Sequence, residues 1–517
     1  MGIVPNLTTK ILEYFMKEMN RELLGNEVLK LVGKIKIDPN IRKEIENGRE
    51  EIERKQVMSK YDVVIVGAGP GGYVTAIRAS QLGLKSAIVE REAVGGVCLN
   101  WGCIPSKSLL KNAEILSYVK QADKWGISFE NMKYDLSKAM ARSRQVSDRL
   151  VKGVEFLLKK NKVDVFKGEG YISKVGQVEI RPEGKLIEAN NIIIATGARP
   201  RIIPGLKFDS EVLISSYDAL KLQTAPERLV VVGGGAIGVE FAYFYRTYGS
   251  EVTIIEMLPH ILPNEDEEIS ITLEKSLTKY GIEVSPGSTV KEITVENGKG
   301  KVKYSSPSGD KEVIGDKVLI SIGVAGNSEN LGLENLGVKI ERGFIPVNEK
   351  MTTNVEGIYA IGDVTGPPLL AHVASAQGVH AVENIAGRET EPLSYDDVPR
   401  ATYCHPQVAS FGLTEAQAKE KGFKVKVSKF PFIGNGKAIA IDDFDGMVKL
   451  VIDAEFGELL GAHIIGPEAS ELLASIRMAK QLEYSPEDVG KTIHAHPTLS
   501  EAIMEAALAA GDGAIHI

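Results

Sequence analysis

The stretch Tyr61-Asp62-Val63-Val64-Ile65-Val66-Gly67-Ala68-Gly69-Pro70-Gly71-Gly72 decides the fold of the chain. Residues 61–66 are rich in β-branched side chains, which is typical of a strand buried on both faces of a parallel sheet. The glycines that follow have the pattern G-x-G-x-x-G, and a helix is predicted directly after them, from Tyr73 to Leu82. Such glycines allow a tight turn and let backbone N–H groups at the helix start approach a pyrophosphate. The next predicted strand, residues 86–90, ends in Glu90, whose carboxylate can accept hydrogen bonds from ribose hydroxyls.

The same arrangement occurs a second time further along the chain. A strand is predicted at Arg228–Val232, and a loop with glycines at Gly233, Gly235 and Gly238 follows it. The acid Glu256 ends the next strand, at the same distance from the last glycine as Glu90 in the first unit. An acid here bonds a free 2′-hydroxyl and repels a 2′-phosphate, which favours NAD over NADP. The sequence therefore predicts an α/β fold with two Rossmann-like dinucleotide-binding domains.

Composition excludes several classes of protein. The chain has 517 residues, 43% of them hydrophobic and 25% charged, which are ordinary globular values. Its net charge of -8 provides no positive field for nucleic acid or a lipid surface, so neither is an expected partner. The longest uncharged apolar run, residues 229–239, is too short to span a membrane. The 3 cysteines cannot form a disulphide framework, and no secretory signal is recognisable, so a cytoplasmic location is expected.

Five segments are expected along the chain. They are a helical N-terminal extension (1–58), the first dinucleotide-binding domain in two parts (59–205 and 326–396), the second dinucleotide-binding domain (206–325) and a C-terminal α+β domain (397–517). The extension is predicted to form two helices broken near Pro39. Its role is open between a docking arm, a solvated helical extension and translation assigned upstream of a true start at Met58.

Two cysteines, Cys98 and Cys103, lie beside the first glycine loop in the run GGVCLNWGCIPSK, residues 95–107. On the first turns of a helix, cysteines at this spacing can reach the Cα separation of roughly 6 Å that a disulphide needs. A zinc site would need further Cys or His ligands, which are not nearby, so no metal is expected. Two buried free thiols remain the alternative to a redox pair. The third cysteine, Cys404, is expected to be buried and inert.

The C-terminal run HAHPTLSE, residues 494–501, contains a candidate acid–base pair. An imidazole beside a carboxylate can move a proton to or from a thiol. His496 and Glu501 have the spacing for this pair, although a His-Pro turn that opens a helix is also a common structural feature.

The run GGVCLNWGCIPSK resembles the active-disulphide signature of the pyridine nucleotide-disulphide oxidoreductases, and the resemblance extends from Tyr61 to the C-terminus. The runs IATG (194–197) and TNVEGIYAIGD (353–363) match the same family. This resemblance implies FAD at the first glycine loop, NAD at the second, and a homodimer formed by the C-terminal domain. It implies that Cys98 and Cys103 form a redox-active disulphide, and that Lys107 lies near the flavin and pairs with Glu240. It also implies that His496, oriented by Glu501, acts on the partner's disulphide. The residues that it implies at the cofactors are Gly67, Gly69, Gly71, Gly72, Glu90, Thr196, Gly197, Gly362, Asp363, Gly233, Gly235, Gly238, Glu240 and Glu256.

Departures from other branches of the family narrow the expected activity. The chain has no cysteine pair at its C-terminus, as mercuric reductases have, and it is acidic at Glu256 where NADPH-dependent members carry arginines. The resemblance therefore implies oxidation of dihydrolipoyl groups by NAD+, for 2-oxoacid dehydrogenase or glycine cleavage proteins. An NADH-dependent reductase of another small disulphide or quinone, and a catalytically silent docking subunit, stay open. At residues 322–327 the family pattern G-R-x-P-N is absent, so a contact on the nicotinamide side is expected to differ.

Overall fold

The computed structural model describes residues 57–517, so the two helices predicted near the N-terminus lie outside the described residues. The first part of the described chain forms a sheet flanked by helices. Its elements are β1 (Val57–Val66), α1 (Pro70–Gln81), β2 (Ser86–Glu90), α2 (Gly96–Asn100), α3 (Cys103–Lys120), α4 (Leu136–Lys160), β3 (Asp164–Lys167), β4 (Glu169–Lys174), β5 (Gln177–Arg181), β6 (Lys185–Ile194) and β7 (Ala198–Pro200). The strands lie in the order β3-β2-β1-β6-β5-β4, and β1, β2 and β3 run parallel. Val63, Val64 and Ile65 are fully buried, as expected for a strand covered on both faces.

The second part forms another parallel sheet. Its elements are β8 (Leu213–Ile214), α5 (Ser216–Ala219), β9 (Arg228–Val232), α6 (Ala236–Thr247), β10 (Glu251–Ile255), α7 (Glu267–Lys279), β11 (Ile282–Ser285), β12 (Thr289–Glu296), β13 (Lys299–Ser306), β14 (Gly309–Gly315), β15 (Lys317–Ile320) and β16 (Val324–Gly326). The parallel order is β11-β10-β9-β15-β8, and β12-β13-β14 form a separate antiparallel meander. Strand β16, the last strand of this part, pairs with β7 of the first part. The chain therefore leaves the second part next to the first.

The chain then returns to the first sheet. The elements of this segment are α8 (Leu333–Leu336), β17 (Ile358–Ala360) and α9 (Ala371–Ile385). Strand β17 pairs in parallel with β6. Helix α9 packs closely on α1, since a Cβ atom on Gly378 would lie 1.9 Å from the hydroxyl of Thr75. The first dinucleotide-binding unit is thus assembled from two stretches of sequence.

The last part is a five-stranded antiparallel sheet with helices. Its elements are β18 (Arg400–Thr402), β19 (Gln407–Gly412), α10 (Glu415–Glu420), β20 (Val425–Pro431), α11 (Gly436–Ala440), β21 (Met447–Asp453), β22 (Leu459–Gly466), α12 (Ala469–Gln481), α13 (Pro486–Lys491) and α14 (Glu501–Leu508). The strand order is β18-β19-β22-β21-β20. Two Rossmann-like units followed by an α+β domain confirm the predicted fold class.

A row of polar side chains crosses this sheet. Cross-strand neighbours are, in order, Arg400, Ser410, His463, Lys449 and Lys429. The ammonium of Lys449, which is 3% exposed, lies 2.8 Å from Asp266 at the start of α7 and 2.9 Å from Glu415. A buried cation surrounded by carboxylates therefore joins the C-terminal sheet to the second dinucleotide-binding unit.

Helix starts differ from the sequence predictions in two places. The first helix begins at Pro70 rather than at Tyr73, because proline is well suited to the first turn of a helix. The last begins at Glu501 rather than near Thr498, and the Glu501 carboxylate accepts the Thr498 N–H at 2.8 Å. Within residues 57–517, no helix is long and apolar enough to cross a membrane.

Candidate active site

The first glycine loop leaves open space where the pattern predicts a phosphate. Gly67 has φ +108°, and a Cβ atom there would lie 2.3 Å from the carbonyl oxygen of Ala195. A Cβ atom on Gly72 would lie 2.0 Å from the carbonyl oxygen of Gly67, so strand and helix approach too closely for any side chain. Next to Gly69, in contrast, no protein atom lies within 4 Å of such a Cβ atom. The middle glycine thus borders empty space at the N-terminus of α1.

The second loop repeats this geometry. Gly233 has φ +105°, with its Cβ position 2.4 Å from the carbonyl oxygen of Ser321, and that of Gly238 lies 2.1 Å from the carbonyl oxygen of Gly233. Gly235 again faces open space. The two loops therefore share one construction, in which the outer glycines allow close packing and the middle one leaves room for a ligand.

Each loop is tied to its acid in the same way. Glu90 accepts hydrogen bonds from the backbone N–H of Ala68 at 2.7 Å and of Glu92 at 2.6 Å. Glu256 accepts them from Gly234 at 2.6 Å and Leu258 at 2.7 Å. A carboxylate has about four lone-pair sites, so each acid keeps capacity for ribose hydroxyls while its position is fixed.

A cleft runs from the first glycine loop to the two cysteines. Its walls include Gly71, Thr196, Gly197, Gly362 and Asp363, which were predicted from separate parts of the sequence. Burial raises the pKa of Asp363 to about 6, and its carboxylate has no hydrogen-bond partner among residues 57–517. The predicted residues around the first loop therefore meet at one cavity.

The two cysteines lie at the end of this cleft. Cys98 belongs to α2 and Cys103 is the first residue of α3, so a turn at Trp101 and Gly102 separates them, whereas the sequence suggested the first turns of a single helix. Both are half-buried free thiols, and the Cys98 S–H donates to the Cys103 sulphur. This hydrogen bond and the nearby Lys107 ammonium, against the effect of burial, lower the pKa of Cys103 to about 7. The same contact raises the pKa of Cys98. The arrangement distinguishes a neutral thiol from a thiolate at a helix N-terminus.

Lys107 holds together three parts of the chain. Its ammonium lies 2.9 Å from one carboxylate oxygen of the buried Glu240 and 3.0 Å from the other. Glu240 also accepts the Tyr403 N–H at 3.0 Å, and the ammonium lies 4.5 Å from the centre of the Tyr403 ring. Although burial opposes the charge, Glu240 raises the pKa of Lys107. Glu240, which was grouped with the cofactor-binding residues, therefore contacts Lys107 and fixes a positive charge near the cysteines.

His496 and Glu501 form the predicted pair. The imidazole Nδ1 lies 2.9 Å from Glu501 Oε1, and Oε2 accepts the Thr498 N–H. Despite the effect of burial, these contacts hold the pKa of Glu501 below its usual range. The His496 side chain is 77% exposed, so the structure does not bring it into the cleft of its own chain.

Comparison with protein-family models assigns the chain to a family. Residues 61–378 match the model described as pyridine nucleotide-disulphide oxidoreductase, and residues 398–507 match the dimerisation domain of the same family. The chain belongs to this family. It is a flavoprotein disulphide oxidoreductase, and the family uses FAD and NAD, which confirms the predicted cofactors. The dimerisation domain indicates a homodimer.

Similar proteins carry related names. The chain is 47% identical to a protein of Rhizobium etli named dihydrolipoyl dehydrogenase, over 87% of this chain and 97% of that protein. It is 46% identical to a protein of the same name from Zymomonas mobilis, over 88% and 99%. Among solved structures, LpdA of Mycobacterium tuberculosis matches with a TM-score of 0.79 at 27% identity, covering 87% of this chain and 99% of that chain.

The geometry of this flavoprotein fits FAD at the first loop. Open space at Gly69, an anchored Glu90 and an unpartnered Asp363 along one cleft are what a dinucleotide with a pyrophosphate, a ribose and a hydroxylated chain requires. The second loop offers the same space at Gly235 beside Glu256.

Three residues of the site were not predicted from the sequence. Asn327 exchanges hydrogen bonds with Thr196, donating to its carbonyl at 2.9 Å and accepting its hydroxyl at 2.7 Å. Arg199 donates to the Gly326 carbonyl and to the Asn327 side chain, so it supplies a guanidinium at the segment where the family pattern G-R-x-P-N is absent. Tyr403 contacts Lys107. Arg199 lies two residues after the run IATG, and Tyr403 directly precedes Cys404, which was the available signal.

Proposed function

We propose that this flavoprotein oxidises dihydrolipoyl groups with NAD+, as the names of its relatives indicate for them. The overall reaction is dihydrolipoamide + NAD+ → lipoamide + NADH + H+. One observation carries the proposal: Cys98 and Cys103 lie together at the end of the cleft, and Cys103 begins helix α3, which also carries the Lys107 ammonium. A dithiol substrate needs such a pair, because one sulphur must be attacked while the other leaves as a thiolate.

Each glycine loop is proposed to bind one of the two cofactors. Residues proposed for FAD are Gly67, Gly69, Gly71, Gly72, Glu90, Thr196, Gly197, Gly362 and Asp363. Residues proposed for NAD are Gly233, Gly235, Gly238 and Glu256. When bound at the first loop, FAD would supply the two-electron redox chemistry that links the reduced cysteine pair to NAD+. The chain contributes the anchored acids and the space at the middle glycines.

Substrate oxidation is a thiol–disulphide exchange at Cys98. In the oxidised enzyme, Cys98 and Cys103 are joined as a disulphide. A thiolate of the dihydrolipoyl group attacks Cys98, the Cys98–Cys103 bond breaks, and Cys103 leaves as a thiolate. The second substrate thiol then attacks the mixed disulphide, which releases lipoamide and Cys98 as a thiol. Two electrons pass to the cysteine pair, and the substrate loses two protons.

Cys103 is suited to be the leaving and electron-rich sulphur. Helix α3 begins at Cys103, and the Lys107 ammonium is held nearby by the buried Glu240. Both favour the thiolate, as does the S–H bond from Cys98. Lys107 therefore has an electrostatic role in this proposal, and Glu240 acts through it.

His496 is the proposed base for the substrate thiols. Glu501 orients its imidazole through Nδ1, which leaves Nε2 free to take a proton. The imidazole is 77% exposed and does not line the cleft of its own chain. It is therefore proposed to serve the cysteine pair of the partner subunit, which gives two composite sites in a homodimer. The proposed macromolecular substrates are the lipoyl groups of 2-oxoacid dehydrogenase or glycine cleavage proteins.

The test is a substrate panel with the purified holoenzyme. NADH formation is followed with NAD+ and dihydrolipoamide, and NADH consumption is followed with glutathione disulphide, cystine and a soluble quinone. Turnover of dihydrolipoamide at least a hundredfold above the other substrates supports the proposal. Efficient consumption of NADH with another disulphide or the quinone, without dihydrolipoamide oxidation, overturns it.

A further inference from the structure

Tyr217 reaches the FAD cleft from the second dinucleotide-binding unit. Apart from it, the cleft walls come from residues 67–199 and 327–374. Tyr217 lies in the short helix α5, which is held by a capping box. Asp218 accepts the Ser215 N–H at 2.9 Å and the Ser215 hydroxyl at 2.6 Å, and it donates its own N–H back to that hydroxyl at 3.3 Å. Ala219 beside it is fully buried. The second unit therefore presents this tyrosine in a fixed place.

The Tyr217 ring meets the turn between the two cysteines. Its centre lies 6.3 Å from that of Trp101, and the two rings are inclined by 37°. Both rings are half-buried and line the cleft together with Cys98 and Cys103. The pair forms an aromatic contact between the second unit and the cysteine turn, at the wall of the cavity.

The hydroxyl of Tyr217 is available as a donor. It makes no hydrogen bond within the described residues 57–517. Burial, together with the carboxylates of Glu92 and Asp363 and against the effect of Arg91, raises the pKa of Tyr217 to about 12. The phenol is therefore protonated at neutral pH and can donate to an acceptor in the cleft.

The position of this donor within the cleft follows from its neighbours. Glu92 donates its N–H to Glu90, the acid proposed for the adenosine ribose, and Asp363 is the acid proposed for the ribityl chain. Tyr217 lines the same cleft as Glu90, Glu92 and Asp363, so its phenol shares the cavity with both acids. In FAD the group between the ribose and the ribityl chain is the pyrophosphate, whose charged oxygens accept O–H hydrogen bonds strongly.

We propose that Tyr217 is a cofactor-positioning residue, whose hydroxyl donates to the FAD pyrophosphate and whose ring closes the cleft against Trp101. The inference rests on the FAD site proposed above. It makes retention of FAD depend on a side chain from the second dinucleotide-binding unit.

The experiment measures release of FAD from the holoenzyme by the rise in flavin fluorescence after dilution into a sub-denaturing concentration of urea. Tyr217→Phe removes only the hydroxyl and is expected to release FAD about tenfold faster, the effect of one hydrogen bond to a charged group. Tyr217→Leu also removes the ring and is expected to be faster still. Combining Tyr217→Leu with Trp101→Leu is expected to add less than the sum of the two, since both disrupt one contact.

Tyr280→Phe is the matched control. Its hydroxyl lies 3.0 Å from the Thr247 hydroxyl, and Tyr280 does not line the cleft, so FAD release is expected within twofold of the unchanged protein. Release from Tyr217→Phe within twofold of the unchanged protein overturns the inference while the FAD site stands. A purified protein that neither contains nor takes up FAD overturns the site and this inference together.

Discussion

Replacing Cys98 with alanine should raise the pKa of Cys103. In the structure the Cys98 S–H donates to the Cys103 sulphur, and this bond is the largest contribution that lowers the Cys103 pKa to about 7. Without the donor, the pKa should return toward the ordinary thiol value of about 8.5. At pH 7 the thiolate fraction would then fall from about one half to about 3%. Because the thiolate is the reactive form, alkylation of Cys103 should become roughly fifteenfold slower at pH 7.

The assay is the rate of iodoacetamide modification of the reduced enzyme between pH 5 and pH 10, with the Cys103 peptide quantified by mass spectrometry. The midpoint of the rate profile should move to higher pH in Cys98→Ala, because the Cys103 thiol stays protonated up to a higher pH. Cys98→Ser is the matched control, since its hydroxyl can still donate, and its midpoint should stay near that of the unchanged protein. Cys404, whose pKa burial raises, should stay unmodified throughout. A midpoint that stays near 7 in Cys98→Ala would refute the reasoning, because Lys107 and the helix terminus would then suffice.

Three further outcomes follow from the contacts at the second loop, the dyad and the C-terminal sheet. Glu256→Arg should lower kcat/KM for NAD+ about a hundredfold and raise that for NADP+, because a cation replaces the acid beside the ribose. Glu251→Arg, at an exposed strand start, should leave the preference for NAD+ over NADP+ unchanged. His496→Gln should slow dihydrolipoamide turnover by about 10²–10⁴-fold while NADH oxidation by ferricyanide is retained; equal losses in both assays would contradict its role as base. Lys449→Met should lower the free energy of unfolding by about 3–5 kcal/mol, since it leaves the buried Asp266 carboxylate without its cation. Lys429→Met removes only an exposed ion pair and should cost less than about 1 kcal/mol in the same denaturant titration.

Much of the fold could be predicted because local sequence carries it. The β-branched run before Gly67 and the similar run before Gly233 specify buried parallel strands, and the glycines that follow specify the turns. The break between Cys98 and Cys103 was less visible. Gly102 allows it, since a Cβ atom there would lie 3.0 Å from the Val97 carbonyl oxygen, a contact that only the folded turn shows.

The long-range contacts of the site could not be predicted in the same way. Local sequence patterns do not show which loops of two different sheets meet, because that depends on how the units pack. Tyr217 meets Trp101, and Tyr403 meets Lys107, across more than a hundred residues of sequence. The Lys107–Glu240 contact was expected only because the family resemblance implied it.

The most direct test of the proposed chemistry is to trap the lipoyl group on the enzyme. Cys103→Ser is mixed under anaerobic conditions with a lipoamide analogue in which one sulphur is S-methylated and the other is a mixed disulphide with a small thiol, and the tryptic peptides are weighed without reduction. Because neither the introduced serine nor the methylated sulphur can resolve the mixed disulphide that forms, the account predicts one lipoyl adduct, on the peptide that contains Cys98, and none in Cys98→Ser. An adduct on Cys103 in Cys98→Ser, with none on Cys98 in Cys103→Ser, would contradict the assignment of Cys98 as the sulphur that exchanges with substrate.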